Sequence, residues 1–477
     1  MTKNNITLVY GNFNLLHPGL LRFLKYSKDL GYPLYVAIKP DSDKEVFISS
    51  THRLEALNSL IFISKSFVFN GDISSLIKKI RPKYIVKGNE YKEKLNSEID
   101  SIKSCGATLI FSSGDSHFSS SDLLKNYNFS NVNNILGKSS SFIKRHRIDL
   151  SKIKKKLYDF RKLKITVVGE LIVDEYISCE ALGMSQEDPT LVVSPSNYKK
   201  FIGGAGIVAM HAKSMGVDVN YFSVTGNDSN AKFASKVLSS SGVKFFNEID
   251  LSRPTILKQR YRAKDKTLLR VNHLKDHTIT SDLEKKFVKN IISNLKKCDL
   301  LIFSDFNYGL LTNTLVDKLT RYCYQHKIPF VADSQVSSQY GDISKYKNAL
   351  LLTPTELEAR TSLSNFTSGL MQIVEELHSK TKPRHLFITL GSDGLLAYSP
   401  NKNKKIISCD QIEALNENPR DVSGAGDSVL IFASLGLVSG LTVWESALLA
   451  SIAAYIQVSN LGNKPLTISE LDSVLLA

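Results

Sequence analysis

The sequence predicts an α/β protein with two doubly wound parallel sheets, one in each of two domains. Apolar runs of strand length alternate with helically spaced apolar residues twice along the 477-residue chain, as in sheets that helices cover on both faces. An asparagine- and serine-rich segment without regular periodicity separates the two series between Asn126 and Ser141. We therefore expect domains at residues 1–126 and 150–477, joined by a linker at residues 127–149.

The first domain alternates strand-like runs with helical patterns, which predicts crossovers within one parallel sheet. The predicted strands are Ile6–Tyr10, Leu34–Ile38, Phe67–Phe69, Tyr84–Val86 and Thr108–Phe111, and the predicted helices are Leu20–Leu30, Arg53–Leu60, Ser74–Ile80 and Ile99–Cys105. A loop from Gly11 to Gly19 follows the first strand, where such sheets bind ligands. His17 in this loop can pair with a phosphate, although a lone loop histidine is more often structural or exposed.

The second domain carries a longer series of the same kind. Its predicted strands are Ile165–Val168, Leu300–Phe303, Phe330–Ala332, Ala349–Leu352, Leu386–Thr389 and Leu395–Tyr398, with helical patterns such as Leu315–His326 between them. Polar residues end several of these runs, among them Asp305, Asp333 and Thr389. Because the carboxyl ends of parallel strands meet at one edge of a sheet, we expect a binding site there.

The stretch from Asp421 to Asp427 combines small residues with two carboxylates, directly before an apolar run. If Gly424, Ala425 and Gly426 form the first turn of a helix, their N–H groups lie unpaired at the positive end of its dipole and make an anion site. A carboxylate beside bound phosphates makes most sense as a base that takes a proton from an attacking hydroxyl, so Asp427 indicates phosphoryl transfer. The alternative is a glycine-rich turn with an aspartate N-cap.

Composition and charge limit the class of protein. The apolar fraction of 42% and charged fraction of 22% are typical of globular proteins, and the net charge of +15 suits small anionic substrates. Ten lysines or arginines fall between Lys144 and Lys164. Aromatic residues scarcely interleave with them, so the run is interpreted as a solvated helix face rather than a nucleic-acid surface, and no nucleic-acid partner is expected.

The cysteines and the apolar segments of the sequence indicate the cellular compartment of the protein. The five cysteines are isolated, and no apolar signal segment opens the chain, which favours a cytoplasmic enzyme in a reducing environment. The longest apolar stretch, Val429 to Val443, is interrupted by glycines and is short for a membrane span. We interpret it as buried helices and expect no membrane contact.

The segment from Asp421 to Asp427 resembles the catalytic signature of the ribokinase-type sugar kinases, and further motifs follow in that family's order through the second domain. The resemblance implies that Asp427 is the base, that the amides of Gly424, Ala425 and Gly426 form the anion hole, and that ATP and Mg²⁺ are used. It also implies a ribokinase-like fold with a small β lid.

Other matched positions receive roles from the same resemblance. It implies sugar binding by Asp174, Gly203 and Gly204, ordering of Mg²⁺ and its waters by Glu358, and nucleotide binding by Thr389, Gly391 and Gly394. A flexible turn is the alternative for a lone glycine pair. A solvated helix carboxylate is the alternative for Glu358.

The finer match is to the heptose-7-phosphate kinase half of bifunctional heptose-phosphate enzymes. It implies a lid at residues 175–201 that helps form a homodimer. It also makes Lys258, Arg260 and Arg262 candidates for holding a distal phosphate of the sugar, since alternation along a strand places them on one face; ordinary surface cations are the alternative.

Three positions depart from the pattern of that subfamily. Ile207 and Thr355 stand where it has asparagine, and Glu170 stands where it has aspartate. Ile207 removes one hydrogen bond to the sugar. This departure bears on the identity of the substrate more than on the chemistry.

The first domain resembles the cytidylyltransferase-like nucleotidyltransferases. The likeness lies in the Gly11–Gly19 loop, in Arg53, in the run around Lys87 and in Phe118–Ser121. It implies that nucleotide binds at Gly11, Phe13, His17, Lys87, Ser119 and Ser120, with His17 on the phosphates, Lys87 neutralising their charge and the serines capping a helix that holds the triphosphate. In the familiar bifunctional enzymes the kinase comes first, so the domain order here is reversed.

Two departures in the first domain concern catalysis. Leu20 replaces the second histidine of the family's signature, and Asn14 replaces an acidic residue. Loss of a group that stabilises developing charge costs roughly a hundredfold or more in rate. We therefore expect a two-domain enzyme that makes a nucleotide-activated sugar, or an active sugar kinase whose first domain binds nucleotide with impaired catalysis.

Overall fold

The computed structural model describes residues 4–14, 16, 18–43, 46, 48–88, 99–112, 136–263, 266–335, 341–400, 409–416 and 418–475. Contacts divide the chain into two compact units. The first comprises Met1–Asn133, Leu363–Ser379 and Tyr398–Gln411, and the second comprises Asn134–Ser362, Lys380–Ala397 and Ile412–Ala477. Strands and helices alternate in both units, so the predicted α/β class is confirmed.

The sheet of the first unit has five parallel strands within the described residues. The elements are β1 (Asn4–Gly11), α1 (Pro18–Asp29), β2 (Leu34–Ile38), α2 (Ser50–Asn58), β3 (Lys65–Val68), α3 (Ile73–Ile80), β4 (Pro82–Gly88), α4 (Ile99–Cys105) and β5 (Thr108–Ser112). The strand order is β3-β2-β1-β4-β5. It reverses direction between β1 and β4, so the loop after β1 lies at the switch point where doubly wound sheets bind ligands.

From residue 136 onward the described chain contains two further sheets. The strands are β6 (Lys164–Gly169), β7 (Leu171–Met184), β8 (Leu191–Gly204), β9 (Asp218–Thr225), β10 (Lys244–Ile249), β11 (Ile256–Ala263), β12 (Lys266–His273), β13 (Leu300–Asp305), β14 (Phe330–Ser334), β15 (Leu351–Leu352), β16 (His385–Thr389), β17 (Leu395–Tyr398) and β18 (Cys409–Ile412). The helices are α5 (Ser140–His146), α6 (Leu150–Asp159), α7 (Ala205–Ser214), α8 (Ser229–Ser240), α9 (Ser281–Leu295), α10 (Asn313–His326), α11 (Glu356–Leu363), α12 (Leu370–Thr381), α13 (Ala425–Val438), α14 (Val443–Ser459) and α15 (Ile468–Leu475).

The larger of these sheets has the order β10-β9-β6-β13-β14-β15-β16-β17-β18. Neighbouring strands from β10 to β16 are parallel. The central strands β13 and β14 are buried along their whole length and are apolar at residues 300–303 and 330–332. A strand with helices on both faces has no solvent side, so its sequence is continuously apolar rather than alternating. The carboxyl ends of β6, β13 and β14 bring Glu170, Asp305 and Asp333 to one edge.

The smaller sheet is the predicted β lid, with the order β12-β11-β7-β8. β7 and β8 form an antiparallel hairpin from Leu171 opposite Gly204 to Met184 opposite Leu191. A single residue, Glu170, separates the end of β6 from the start of β7, and β8 runs directly into α7. The lid is therefore anchored at both ends beside the carboxyl edge of the larger sheet.

Helices α13 and α14 form the apolar centre of the second unit. Leu430, Phe432 and Leu449 are fully buried in one core cluster with the strand residues Ile302 and Val331. Both helices are apolar on all sides, which is the pattern of a helix enclosed by protein. In the part of the chain that the structure describes, no helix has both the length and the apolar character to cross a bilayer.

Helix α12 places a polar anchor in the first unit. Its Glu375 accepts hydrogen bonds from the Tyr84 hydroxyl and, at 3.1 Å, from Lys83 Nζ, which also donates to the Tyr32 hydroxyl at 2.6 Å. Tyr84 is fully buried. Burial, together with the hydrogen bond to Glu375, raises the pKa of Tyr84 above its usual value, so the hydroxyl stays protonated and donates.

Removal of this anchor should destabilise the first unit. Glu375→Ala leaves the buried Tyr84 hydroxyl without its acceptor, which should lower the local free energy of opening by about 1–3 kcal/mol. Hydrogen exchange of the β4 amides measures this quantity for the strand that carries Tyr84. Glu376→Ala is the matched control, since the neighbouring Glu376 is exposed and pairs with Asn365. Equal exchange rates in the two variants would contradict the prediction.

Candidate active site

Gly424 turns the chain into α13 with φ of 77°, in the left-handed region that glycine adopts without strain. Ala425, Gly426 and Asp427 are the first residues of the helix. The first N–H groups of a helix have no partner within it and carry the positive end of its dipole. The first turn of α13 can therefore receive an anion.

Asp427 lies in this first turn with only 5% of its surface exposed. Burial and the nearby charge of Asp174 raise its pKa to about 7, and Lys258 partly opposes the rise. Among the described residues, its Oδ1 has no hydrogen-bond partner. A carboxylate with this pKa and an open acceptor atom has the properties of a general base at neutral pH.

Asp174 faces Asp427 from β7 and is held from two sides. Arg260 Nη1 on β11 donates to its Oδ1, and Asn463 Nδ2 donates to its Oδ2 at 3.0 Å. Strand pairing explains the approach of β11, because Lys258 lies opposite Asp174 in the register of β11 and β7. Asp174 keeps free lone pairs, so its oxygens can still accept hydrogen bonds from a ligand.

The glycine pair Gly203-Gly204 closes against Asp174 at the end of β8. A Cβ on Gly203 would lie 2.1 Å from Asp174 Oδ2, closer than atoms can approach. Gly204 has φ of 59°, and a Cβ there would lie 2.5 Å from the Glu170 carbonyl oxygen. Glycine is required at both positions because the backbone passes directly against the site.

Lys258 is oriented by two aromatic rings. Its Nζ lies 5.2 Å from the ring centre of Phe306 and 5.3 Å from that of Tyr308. Cation–π contacts of this kind fix an ammonium group without neutralising it. Lys258 thus lies within electrostatic reach of Asp427.

Glu170 holds the loop that carries these two rings. Its carboxylate accepts hydrogen bonds from the backbone N–H groups of Phe306, Tyr308 and Leu310 at 2.9, 3.2 and 3.3 Å. Burial and the charge of Asp305 raise the pKa of Glu170 to about 7. The carboxylate that departs from the family pattern therefore has a clear structural role in this chain.

Asp421 ties the turn before α13 to the lid and to the loop after α14. It accepts hydrogen bonds from the Tyr176 hydroxyl at 2.6 Å, from Gly462 N at 3.0 Å and from Ser423 N at 3.1 Å. Burial alone would raise the pKa of Asp421, but these bonds hold it below its usual value. Asp421 is thus an ionised anchor.

The predicted nucleotide turn borders an open pocket. Thr389 and Gly391 line a cavity of about 390 Å³ together with Thr355, Leu357 and Arg360. Thr389 N donates to the Pro354 carbonyl oxygen at 3.0 Å, which joins the loop after β16 to the start of α11. Gly394 has φ of 94°, and a Cβ there would lie 2.0 Å from the Ile412 carbonyl oxygen.

Two buried carboxylates, Glu358 and Asp333, lie beside the site, although the described residues contain no group of three or more His, Cys, Asp or Glu side chains that could hold a metal ion by themselves. Glu358 Oε2 accepts from Thr355 N at 2.7 Å while Thr355 Oγ1 accepts from Glu358 N at 3.1 Å, so these residues form a capping box at α11. Burial, followed by the charges of Glu358 and Asp427, raises the pKa of Asp333 well above its usual value. Mg²⁺ in kinases is held by one or two carboxylates with waters and substrate phosphates, and it would relieve this repulsion between carboxylates.

In the first unit, the structure brings three predicted regions to the switch point. The Phe13 ring packs on Gly11, where a Cβ would lie 3.3 Å from the ring, and Lys87 Nζ lies 4.5 Å from the centre of the Tyr10 ring. Arg53 is buried and donates to the carbonyl oxygens of Asn12 and Lys39 at 2.7 and 2.9 Å, so it joins the loops after β1 and β2. His17, Ser119 and Ser120 lie outside the described residues.

Some residues of the site carry no sequence signal. Asn463 approaches Asp174 from a loop at the far end of the chain, and Tyr176 reaches Asp421 from the lid. Asp333 could be found only as a polar residue at the end of a strand. The capping box of Glu358 was recognisable, because Thr355-x-x-Glu358 at a helix start is its signature.

Comparison with known proteins places this site in a family. The model of the pfkB family carbohydrate kinases matches residues 162–468, more than half of the chain. The chain belongs to the pfkB family of carbohydrate kinases. A second model, cytidylyltransferase-like, matches residues 8–122, so a nucleotidyltransferase-like domain precedes the kinase domain.

Curated relatives include bifunctional proteins. The bifunctional protein HldE of Campylobacter jejuni subsp. doylei is 30% identical over 322 residues, which are 66% of this chain and 65% of that protein. HldE of Desulfatibacillum aliphaticivorans is 28% identical over 320 residues, which are 66% of this chain and 64% of that protein. The chain thus spans slightly less than two thirds of the length of these relatives.

Solved structures support the fold of the kinase domain. Phosphofructokinase-2 of Escherichia coli, solved with substrates and products, matches with a TM-score of 0.54 and 13% identity over 66% of this chain and 98% of that chain. Ribokinase of Arabidopsis thaliana, solved with ribose and ATP, matches with a TM-score of 0.51 and 16% identity over the same shares. At these identities the match concerns the fold alone.

The raised pKa of Asp427 predicts how its replacement affects stability. The folded pKa is about 7 against an ordinary value of 3.8, so the stability that the protonated carboxyl contributes is complete below the ordinary value and is lost as pH rises through 7. At pH 8 the wild type buries a carboxylate, whereas Asp427→Asn buries a neutral amide. The variant should therefore be more stable at pH 8, by a few kcal/mol in order of magnitude.

Melting temperatures between pH 5 and pH 9 test this prediction. The difference between Asp427→Asn and the wild type should grow with pH and level off above about 7. Asp317→Asn, the same change at an exposed residue of α10, should show no such dependence. A stability difference that does not change with pH would contradict burial of the Asp427 charge.

Proposed function

We propose that this pfkB kinase transfers the terminal phosphoryl group of ATP to the anomeric hydroxyl of a sugar phosphate resembling heptose 7-phosphate. The observation that carries the proposal is the buried Asp427, which has an open oxygen and a pKa of about 7 at the start of α13. The resemblance of the kinase motifs to heptose-7-phosphate kinases favours a heptose phosphate within the wider class of sugar substrates, and the HldE relatives are bifunctional proteins.

The residues divide the reaction between them. Asp427 takes the proton of the attacking hydroxyl, and the amides of Gly424, Ala425 and Gly426 stabilise the charge on the transferring phosphoryl group. Asp174 with Gly203 and Gly204 orients the sugar. Asp174 is already fixed by Arg260, so its orientation is set before substrate arrives.

Positively charged groups are assigned to bind the phosphates of the two substrates. Lys258 and Arg260 stand on β11 with their charges directed to Asp427 and Asp174 and are assigned to the phosphate of the sugar phosphate. Thr389, Gly391 and Gly394 border the nucleotide. Glu358, with Asp333 beside it, would hold Mg²⁺ through its waters, and the ion would supply positive charge for the ATP phosphates.

The first domain is assigned the second reaction. Once a separate phosphatase has hydrolysed the distal phosphate of the kinase product, the remaining sugar 1-phosphate attacks the α-phosphate of ATP and releases pyrophosphate, which yields an ADP-heptose-like product. Gly11, Phe13, His17, Lys87, Ser119 and Ser120 bind the nucleotide. The order of the two domains is part of the proposal: it is reversed relative to the bifunctional heptose-phosphate enzymes.

A second candidate function retains the kinase and makes the first domain a nucleotide-binding module with impaired catalysis. The observation that favours it is Leu20, which stands on α1 in the position of the signature's second histidine. A leucine cannot share the charge that builds up on the α-phosphate. The two candidates differ only in the release of pyrophosphate.

The lid is proposed as a homodimer contact. Leu182 and Met184 are each 61% exposed and Tyr198 is 59% exposed on the β7–β8 hairpin. Neighbouring exposed apolar side chains mark interaction surfaces, and a second copy would cover them. A cytoplasmic location completes the proposal, since the cysteines in the described residues are unpaired.

Phosphorus NMR of the purified protein with Mg-ATP, a heptose 7-phosphate and a phosphatase specific for the distal phosphate of the sugar bisphosphate tests both reactions in one sample. We expect ADP and a new anomeric phosphate, and also pyrophosphate and a nucleotide-sugar diester if the first domain is active. Asp427→Asn should abolish all of these products, because the attacking hydroxyl loses its base. ADP formation at a near-normal rate in Asp427→Asn would refute the assignment of the base.

Restoration of the missing histidine tests the first domain. If Leu20 limits catalysis, Leu20→His should raise the rate of nucleotidyl transfer by about a hundredfold and leave the rate of ADP formation unchanged. Pyrophosphate release with a synthetic sugar 1-phosphate measures this step without the kinase. Leu21→His, one residue further along α1, controls for the added imidazole. Rapid transfer by the wild type would reject the impaired-domain candidate.

A further inference from the structure

Asn463 lies between the two glycine turns of the kinase site and is only 7% exposed. Its Nδ2 donates to Asp174 Oδ2 at 3.0 Å. A Cβ on Gly424 would lie 2.4 Å from Asn463 Oδ1, and a Cβ on Gly203 would lie 3.2 Å from its Nδ2. The side chain therefore touches both the turn before Asp427 and the turn assigned to the sugar.

The chemistry of Asp174 fixes the orientation of this amide. A carboxylate only accepts hydrogen bonds, so Asn463 presents its NH₂ group to Asp174 and its oxygen to the other side. That oxygen is buried and has no hydrogen-bond partner among the described residues. A buried acceptor without a partner is costly, so a donor is expected to occupy this place in the working enzyme.

The loop that carries Asn463 is held in place independently of any ligand. Gly462 N donates to Asp421 Oδ2 at 3.0 Å. Gln457 Nε2 donates to the carbonyl oxygens of Ser423 and Gly462 at 3.1 and 3.3 Å. The same two side chains thus fix both the Gly424 turn and the Asn463 loop, so the position of Asn463 Oδ1 relative to α13 is set in advance.

Two acceptor atoms without partners consequently border one site. Asp427 Oδ1 is buried at the start of α13, and Asn463 Oδ1 is buried beside Gly424. A ligand that satisfies both has two neighbouring hydroxyl groups. A carbonyl, ether or phosphate oxygen at the second position would leave Asn463 facing another acceptor and would be rejected.

We propose that Asn463 is a specificity-determining residue of the kinase, which accepts a hydrogen bond from the sugar hydroxyl adjacent to the one that Asp427 deprotonates. The inference rests on the proposed function and deepens it. The acceptor substrate is a vicinal diol, and Asn463 accepts a hydrogen bond from the hydroxyl that does not react.

Steady-state kinetics of Asn463→Ala with Mg-ATP and a heptose 7-phosphate test the proposal. The KM for the sugar should rise about tenfold, as expected for one lost hydrogen bond, while the KM for ATP stays within about twofold. Asn460→Ala is the matched control, because Asn460 lies on the same loop and donates to the Ile456 carbonyl oxygen at 3.0 Å. It should behave as wild type.

Monodeoxy analogues of the sugar give a readout that a structural role would not move. With wild-type enzyme, the analogue lacking the adjacent hydroxyl should lose about tenfold in kcat/KM, and Asn463→Ala should add no further loss with that analogue. The wild-type comparison needs no variant and stands even if Asn463→Ala folds poorly.

The outcomes of these two experiments distinguish a specificity role of Asn463 from a purely structural one. Equal penalties of Asn463→Ala on every analogue, or on the KM for ATP as well, would show that Asn463 only supports the fold and would overturn the proposal. No loss by any monodeoxy analogue in the wild type would overturn it too. Failure of the wild type to phosphorylate any sugar phosphate would instead refute the proposed function, and the role of Asn463 would fall with it.

Discussion

A buried carboxylate that has no ion-pair partner among the described residues is the constraint around which the kinase site is built. Asp427 lies in the first turn of α13, and the charge of Asp174 faces it. Two carboxylates in a poorly hydrated place repel each other, so the surrounding cations and amide groups have to be positioned with care. Arg260 forms an ion pair with Asp174. Lys258 instead lies against aromatic rings and only partly offsets the rise in the pKa of Asp427. Asp427 is thereby kept basic enough to take a proton at neutral pH, as its proposed role as general base requires, at a cost in stability.

The supports of this site are carboxylates that bind backbone N–H groups. Glu170 holds the loop of Phe306 and Tyr308 through three amides, and Asp421 holds the chain on both sides of the site through Ser423 and Gly462. A carboxylate that accepts several hydrogen bonds from backbone amides makes a stiff junction between loops. Loops that would otherwise move are in this way fixed at the open edge of the larger sheet, as a site that must align a hydroxyl with a phosphoryl group requires.

Local sequence patterns predicted much of the fold, because strand length, helical spacing and glycine turns depend on neighbouring residues. The turn at Gly424 and the helix after it follow directly from such a pattern, as does the series of buried strands. Contacts between distant segments could not be predicted this way. Asn463 meets Asp174 only after α14 and the lid have packed, and the three amides bound by Glu170 belong to a loop more than a hundred residues later in the chain. Thr355 and Glu358 lie between these two cases. Their spacing predicts the capping box that the structure contains, whereas the metal role of Glu358 is assigned by resemblance.

The departure at Ile207 gains a physical interpretation from the arrangement of these loops. Ile207 is fully buried in α7 and brings no polar atom to the sugar. A side-chain amide nevertheless reaches the site, because Asn463 enters the site from the loop after α14. Asn463 lies against Gly203, which is four residues before Ile207. A hydrogen-bonding group can be supplied from either segment, because both end at the same carboxylate, Asp174. Under the proposed function, the identity of the sugar therefore depends on the set of acceptors around that carboxylate, and comparison of position 207 alone would miss Asn463, the group that we propose in place of the expected asparagine.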